Sequence, residues 1–87
     1  MKAAIFEGPG NIVVRERPEP VIQVPTDAIV RVVRACVCGS DLWYYRGVVP
    51  RPVGKPIGHE FIGVIEEVGT QVATLKPGDF VIAPFLY

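Results

Sequence analysis

The sequence has no excess of charge of either sign. Nine lysines and arginines balance nine acidic residues, and charged residues make up only 21% of the 87-residue chain. A nucleic-acid-binding protein needs a basic excess to release counterions from phosphates, so the balance argues against this function class. A disordered chain would be polar and charged, whereas 49% of these residues are apolar.

Long hydrophobic runs and cysteines are also scarce. No uncharged apolar run approaches the roughly 20 residues that a membrane helix requires, and the apolar stretch after Lys2 is too short for a signal peptide. The two cysteines, Cys36 and Cys38, are too few for a disulfide framework, and a bridge between them would be strained. We therefore expect a soluble, cytoplasmic chain without nucleic-acid or membrane partners, with either free thiols or a metal site.

Glycine and proline are abundant, with nine of each, which favours short strands joined by turns. We predict one short helix over Asp41–Gly47, with Ser40 as its N-cap and Gly47 as its stop, followed by a Pro-rich loop over Val48–Pro56. The fold class is therefore mostly β, an incomplete barrel with one short helix. The predicted strands are 2–7, 12–16, 28–35, 61–68 and a strand beginning at Phe80. The turn signal at Gly8–Asn11 joins the first two strands in a hairpin, and Glu66 and Glu67 indicate that the end of 61–68 faces solvent.

A chain of this length cannot bury all of its apolar groups. Chains this short bury only about 60% of their unfolded surface, so apolar side chains should remain exposed. The sequence ends on the apolar stretch Pro84–Tyr87. We expect that the chain is cut from a longer protein, and that an exposed apolar edge would favour self-association.

Two segments could carry chemistry, one around Cys38 and the other around His59, which is the only histidine. A thiolate and an imidazole are zinc ligands, and Cys36, Asp41 and Glu60 are further candidates. The structural alternative is a cysteine packed as a small hydrophobe and a histidine hydrogen-bonded to an acid. Spacing alone leaves both interpretations open, since the CxxC…CxxC pattern is absent.

Other catalytic motifs are incomplete. Gly8-Pro9-Gly10 resembles the start of a dinucleotide-binding turn, but Val13 replaces the third glycine and no helix follows. Ser40 lacks the Gly-x-Ser-x-Gly elbow of a nucleophilic serine. The aromatic residues at 43–45 could stack a ligand, although at helical spacing such residues more often pack.

Taken together, the motifs resemble the zinc-dependent medium-chain alcohol dehydrogenase family. Gly58-His59-Glu60 is followed by Gly63, Gly69 and Val72 with that family's spacing. Cys38-Gly39-Ser40-Asp41 is similar to its first zinc-ligand motif, and Leu75–Asp79 to a later turn. The resemblance covers all 87 residues. It implies that residues 1–87 are the N-terminal part of a GroES-like domain, which is a partly open β-barrel, with the Rossmann cofactor domain absent from this chain.

The resemblance also implies roles for individual residues. Cys38 and His59 would bind the catalytic zinc, and Asp41 would orient the histidine. Glu60 would lie behind the metal, and Ser40 would hand on the substrate proton. Zinc would polarise a small alcohol or carbonyl substrate for hydride transfer to or from NAD or NADP.

The chain departs from the family pattern at three positions. Trp43 replaces a histidine that ends the proton relay in some members, and it becomes a candidate for the substrate pocket. Gly39 replaces a cationic residue, and Cys36 matches no ligand. The third zinc ligand of the family would lie beyond Tyr87. The isolated chain is expected to be inactive, since hydride transfer needs a nicotinamide cofactor and this sequence offers no place to bind one. The alternative function is a stand-alone GroES-like module that binds or assembles without catalysis.

Overall fold

The computed structural model describes residues 1–84 and contains six strands and one short helix. The predicted mostly β class with a single short helix is confirmed. The chain divides into two compact units, one formed by Met1–Glu19 and Cys36–His59 and the other by Pro20–Ala35 and the residues from Glu60 onward. The elements are β1 (Lys2–Phe6), β2 (Ile12–Glu16), β3 (Ala28–Ala35), α1 (Gly39–Tyr45), β4 (Lys55–Pro56), β5 (Phe61–Val68) and β6 (Phe80–Ala83).

The first unit is built on an antiparallel sheet in the order β2-β1-β4. The predicted hairpin is confirmed: Lys2 pairs with Glu16 and Phe6 with Ile12 across the Gly8–Asn11 turn. The central strand β1 carries Ile5 and Phe6, which are the fully buried apolar side chains of this unit. The core of the unit therefore lies at the end of β1 that also pairs with β4.

The second unit contains a sheet in the order β3-β5-β6, again antiparallel. Ile65, on the central strand β5, is buried, whereas Glu66 and Glu67 face solvent as the sequence predicts. The turn before β6 is closed by a hydrogen bond that the Asp79 N–H donates to the Lys76 carbonyl at 3.1 Å. In neither sheet do the two outer strands pair with each other within residues 1–84.

Two details of the sequence prediction were wrong. The helix begins at Gly39 with Cys38 rather than Ser40 as its N-cap, because Gly39 and Ser40 are themselves helical and Asp41, at the third helical position, accepts the Cys38 N–H. Residues 55–56 form a strand because Ile5 and Phe6 pair with them from a distant part of the sequence. Along β3, Ile29 and Val30 on opposite faces are half-buried, whereas Val32 and Val33 are exposed.

Apolar side chains remain exposed, as expected for so short a chain. Phe80 and Ile82 alternate along β6, where Ile82 is 73% exposed. The terminal residues 85–87, on which the expectation of an apolar chain end partly depends, lie outside the described residues. Within residues 1–84, the single helix has far fewer residues than a crossing of the bilayer would take.

Candidate metal centre

Cys38 occupies the N-cap position of α1. Its backbone is extended, with φ −89° and ψ 154°, and its N–H donates to Asp41 Oδ2 at 3.0 Å. The Asp41 N–H in turn donates to the Cys38 carbonyl at 3.0 Å. An acidic residue at the third helical position commonly reaches back to the N-cap N–H in this way. The local sequence therefore fixes the backbone that carries the Cys38 thiol.

His59 lies at the end of the segment that follows β4. The preceding Ile57 N–H donates to the Ala4 carbonyl of β1 at 3.0 Å. Gly58 has φ 106°, a conformation that residues with a side chain rarely adopt. A backbone conformation that favours glycine therefore directly precedes His59, whose imidazole is half-buried with 29% of its surface exposed.

The fold of the first unit brings Cys38 and His59 together although they are remote in sequence. The Cys38 sulfur and a His59 ring nitrogen lie within 4.8 Å of each other. Asp41 is buried, and its Oδ1 is 3.4 Å from His59 Nδ1. A carboxylate facing Nδ1 favours the tautomer with the proton on that atom, which leaves the Nε2 lone pair for a metal. A thiol and an imidazole held this close are ligands that suit zinc.

The remaining candidate ligands are placed differently. Glu60 directly follows His59 in the sequence, at the point where the chain enters the second unit. Cys36 is exposed two residues before Cys38 and is not among the ligand atoms that cluster in the described part of the chain. Asp41 faces the histidine rather than joining that cluster. A role for Glu60 as ligand or as outer acid stays a prediction.

Ser40 and Trp43 both belong to α1. Ser40 is exposed in the first turn, between Gly39 and the buried Asp41. Trp43 is 58% exposed, and its carbonyl accepts the N–H groups of Val48 and Val49 at 3.0 and 3.4 Å. The proton-transfer role of Ser40 and the substrate contact of Trp43 remain predictions.

Arg51 is a residue that sequence reasoning missed, since it was assigned only to a Pro-rich loop. Its guanidinium carbon lies 5.1 Å from the centre of the Tyr44 ring. Nη2 of the same group donates a short hydrogen bond to the Pro56 carbonyl. The only sequence signal was an arginine among prolines near an aromatic helix, which is too common a pattern to single out.

The comparisons with known proteins agree on one family. The chain is 44% identical over 86 residues to the uncharacterized zinc-type alcohol dehydrogenase-like protein AdhB of Bacillus subtilis, covering 98% of this chain and 23% of that protein. It is 45% identical to the medium chain reductase/dehydrogenase ucsI of Acremonium sp, covering 98% of this chain and 30% of that protein. The chain thus spans less than a third of the length of these relatives.

Solved structures and a family model match in the same way. Alcohol dehydrogenase TADH from Thermus sp. ATN1 superposes with a TM-score of 0.92 and 46% identity, covering 98% of this chain and 25% of that one. The zinc dependent alcohol dehydrogenase 2 from Streptococcus pneumonia gives a TM-score of 0.86 and 44% identity, covering 94% and 24%. The family model of the alcohol dehydrogenase GroES-like domain matches residues 24–86. The predicted resemblance is confirmed, and the chain belongs to the alcohol dehydrogenase GroES-like domain family.

Proposed function

We propose that this chain is the N-terminal, zinc-binding segment of the catalytic domain of an NAD- or NADP-linked alcohol dehydrogenase or reductase. The observation that carries the proposal is the buried carboxylate of Asp41, which contacts the Cys38 N–H and His59 Nδ1 with its two oxygens. A carboxylate that orients an imidazole ligand is typical of zinc sites. The relatives named as zinc-type alcohol dehydrogenases support the same assignment.

The residues present fit zinc. Cys38 and His59 would hold it through Sγ and Nε2, and their converging donor atoms match the ligand types of catalytic zinc sites. A catalytic site takes three protein ligands, and Glu60 or a residue outside this chain would supply the third. When bound, zinc polarises the oxygen of an alcohol or a carbonyl and so favours hydride transfer at the adjacent carbon.

The side chains around the metal pair would orient ligands and move protons. Asp41 holds the His59 ring and, by accepting the Cys38 N–H, also fixes the backbone of the thiol ligand. Ser40, exposed on the first turn of α1, would accept the hydroxyl proton of an alcohol substrate. Trp43 offers an exposed apolar ring on the same helix as a wall for a small alcohol or carbonyl compound.

The nicotinamide cofactor would be bound by a part of the longer protein outside this chain. The turn at Gly8–Asn11 joins two antiparallel strands, whereas a dinucleotide-binding turn leads from a strand into a helix. The chain by itself is therefore expected to lack turnover. Its contribution to the enzyme would be the metal ligands, the proton acceptor and one wall of the substrate site.

Zinc content of matched variants tests the proposal. We expect Cys38→Ser and His59→Ala to lose zinc on dialysis and, in the longer enzyme, to abolish alcohol-dependent reduction of NAD or NADP. Cys36→Ser is the control, because it removes a thiol two residues from Cys38 and should retain both zinc and activity. Full activity with both Cys38 and His59 replaced would refute the proposal.

A second candidate function is a stand-alone module that assembles without catalysis. The exposed Phe80 and Ile82 on the outer strand β6 favour it, because such an edge can pair with a second copy. The two functions differ in their dependence on Cys38. Assembly through β6 would survive Cys38→Ser, whereas zinc-dependent catalysis would not.

A further inference from the structure

We propose that Arg51 is a positioning residue for the metal pair, holding α1 and the His59 segment at a fixed separation. The inference rests on the proposed function of Cys38 and His59 as zinc ligands. Arg51 contacts neither ligand directly. It instead joins the two elements that carry them, through one contact to each.

The first contact is to the helix that Cys38 caps. The guanidinium of Arg51 lies over the ring of Tyr44, 5.1 Å from its centre, where a cation and an aromatic face attract each other. Tyr44 is one turn along α1 from Asp41, the residue that binds the Cys38 N–H and faces His59. Movement of Tyr44 would therefore carry the capped end of the helix with it.

The second contact is to the segment that leads to His59. Arg51 Nη2 donates to the carbonyl of Pro56, the last residue of β4. Only Ile57 and Gly58 separate Pro56 from the histidine. Because Pro56 pairs with Ile5 on β1, the Arg51 bond holds this segment from another direction than the sheet does.

Arg51 is half-buried, and its Nε–H is shielded from solvent without a hydrogen-bond partner within residues 1–84. The planar group can present its face to Tyr44 while an edge N–H reaches Pro56, a combination that a lysine ammonium does not reproduce.

The helix needs such support because it is short. Seven residues form too few intrahelical bonds for independent stability. At its C-terminal end, the Tyr45 carbonyl accepts the Gly10 N–H at 2.6 Å, which ties the helix to the β1–β2 turn. Arg51 additionally joins the helix to the segment that leads to His59. This connection sets the distance between the Cys38 and His59 side chains.

Metal titration of Arg51 variants tests the inference. We expect Arg51→Met to weaken Zn²⁺ or Co²⁺ binding about tenfold, the lower end of the effect of losing an outer support of a metal site. Arg51→Lys should restore part of the affinity, since an ammonium can still reach the ring or the carbonyl. The control is Arg46→Met, which makes the same charge change at an exposed residue two positions after Tyr44 and should leave affinity unchanged.

The absorption spectrum of the Co²⁺-loaded protein distinguishes positioning from general stabilisation. A distorted ligand pair changes the intensity of the ligand-field bands, which a mere loss of folding stability leaves unaltered in the folded fraction. Wild-type affinity and spectrum in Arg51→Met, or an equal loss in Arg46→Met, would overturn the inference. If Arg51→Met fails to fold, Tyr44→Leu and Arg51→Lys decide, because wild-type affinity and spectrum in both would equally overturn it.

A double-mutant cycle measures whether Tyr44 and Arg51 act through the same contact. The effects of Tyr44→Leu and Arg51→Met on metal affinity should be less than additive, because each substitution breaks the same contact. Failure of the proposed function has a different signature. In that case Cys38→Ser would bind the metal as tightly as the wild type, whatever Arg51 does.

Discussion

Asp41 Oδ1 lies 3.4 Å from His59 Nδ1, and the other oxygen of the same carboxylate accepts the backbone N–H of Cys38. One buried side chain thus contacts both proposed metal ligands. Its two oxygens serve different purposes, because one shapes the start of a helix and the other orients an imidazole. Both proposed ligands are therefore oriented in part by the same carboxylate.

Replacement of the Asp41 carboxylate should therefore weaken metal binding. In Asp41→Asn the amide oxygen can still accept the Cys38 N–H, but its NH₂ group then faces His59 Nδ1 and favours the wrong tautomer. We expect zinc affinity to fall about 10- to 100-fold, measured by competition with a chelating dye. Asp79→Asn is the control, since that carboxylate also accepts a backbone N–H, from Lys76, but in the second unit. Unchanged affinity in Asp41→Asn would contradict the prediction.

Gly63 and Gly69 should be irreplaceable for a steric reason. A Cβ at Gly63 would lie 2.5 Å from the Arg31 carbonyl oxygen, and one at Gly69 only 2.2 Å from that of Pro25. Both obstacles are backbone atoms that cannot rotate away. We expect Gly63→Ala and Gly69→Ala to lower the free energy of unfolding by about 1–3 kcal/mol, measured by urea denaturation followed by circular dichroism.

Gly39 provides the control for these substitutions. A Cβ there meets no atom within 4 Å, and alanine is preferred over glycine in a helix by about 1 kcal/mol. Gly39→Ala should therefore be neutral or stabilising. Equal stability of all three alanine variants would show that the close approaches are relieved at little cost.

The amino terminus should titrate above its ordinary range. The Met1 ammonium is 2.9 Å from Glu19 Oε1, and the hydrogen bond to Glu19 is the largest cause that raises its pKa. A raised pKa in the folded state means that this stabilisation is complete below about pH 8, the pKa of a free α-amino group. It is lost as the pH rises through the higher folded pKa.

Titration of the Met1 amine by NMR measures this effect. Glu19→Gln should lower the pKa of Met1 more than Glu16→Gln, because the Glu16 carboxylate is farther away at 3.5 Å. The same Met1 pKa in the wild type and Glu19→Gln would contradict the assigned cause.

Self-association of the chain should depend on β6. Ile82→Lys places a charge at an exposed apolar position of an outer strand, so it should reduce the apparent molecular mass in concentrated solution by light scattering. Val21→Lys makes the same change at an exposed residue outside the strands and should have no effect. An equal mass for both variants and the wild type would exclude the β6 edge as a contact.

Much of the fold could be predicted from the sequence, because turn residues and runs of β-branched residues determine these elements locally. The Gly8–Asn11 turn gave the hairpin, and β-branched runs gave β3 and β5 with their observed bounds. The two-residue strand β4 could not be predicted, because a proline lies in it and its partner β1 is remote in sequence. The N-cap was wrongly assigned because a serine is the stronger capping residue, whereas Asp41 makes the decisive hydrogen bond from inside the helix.

The candidate site was accessible mainly through family resemblance. The spacing between Cys38 and His59 carries little information, since only the folded first unit brings a thiol and an imidazole within 4.8 Å. Arg51 had no distinctive sequence signal, because its two contacts join a helix and a strand that are not neighbours in any local pattern. A residue that connects two elements can be recognised only from the three-dimensional structure, which shows which elements are neighbours.

The separation of Cys38 and His59 along the chain has a consequence for chain entropy. A metal held by both residues closes a loop that contains α1, the Pro-rich segment and β4. Cross-linking a loop of about twenty residues lowers the conformational entropy of the unfolded chain, which raises its free energy by on the order of 3 kcal/mol. Metal binding would thus act as a reversible counterpart of a disulfide. Binding of the metal and folding of the first unit would therefore be thermodynamically coupled.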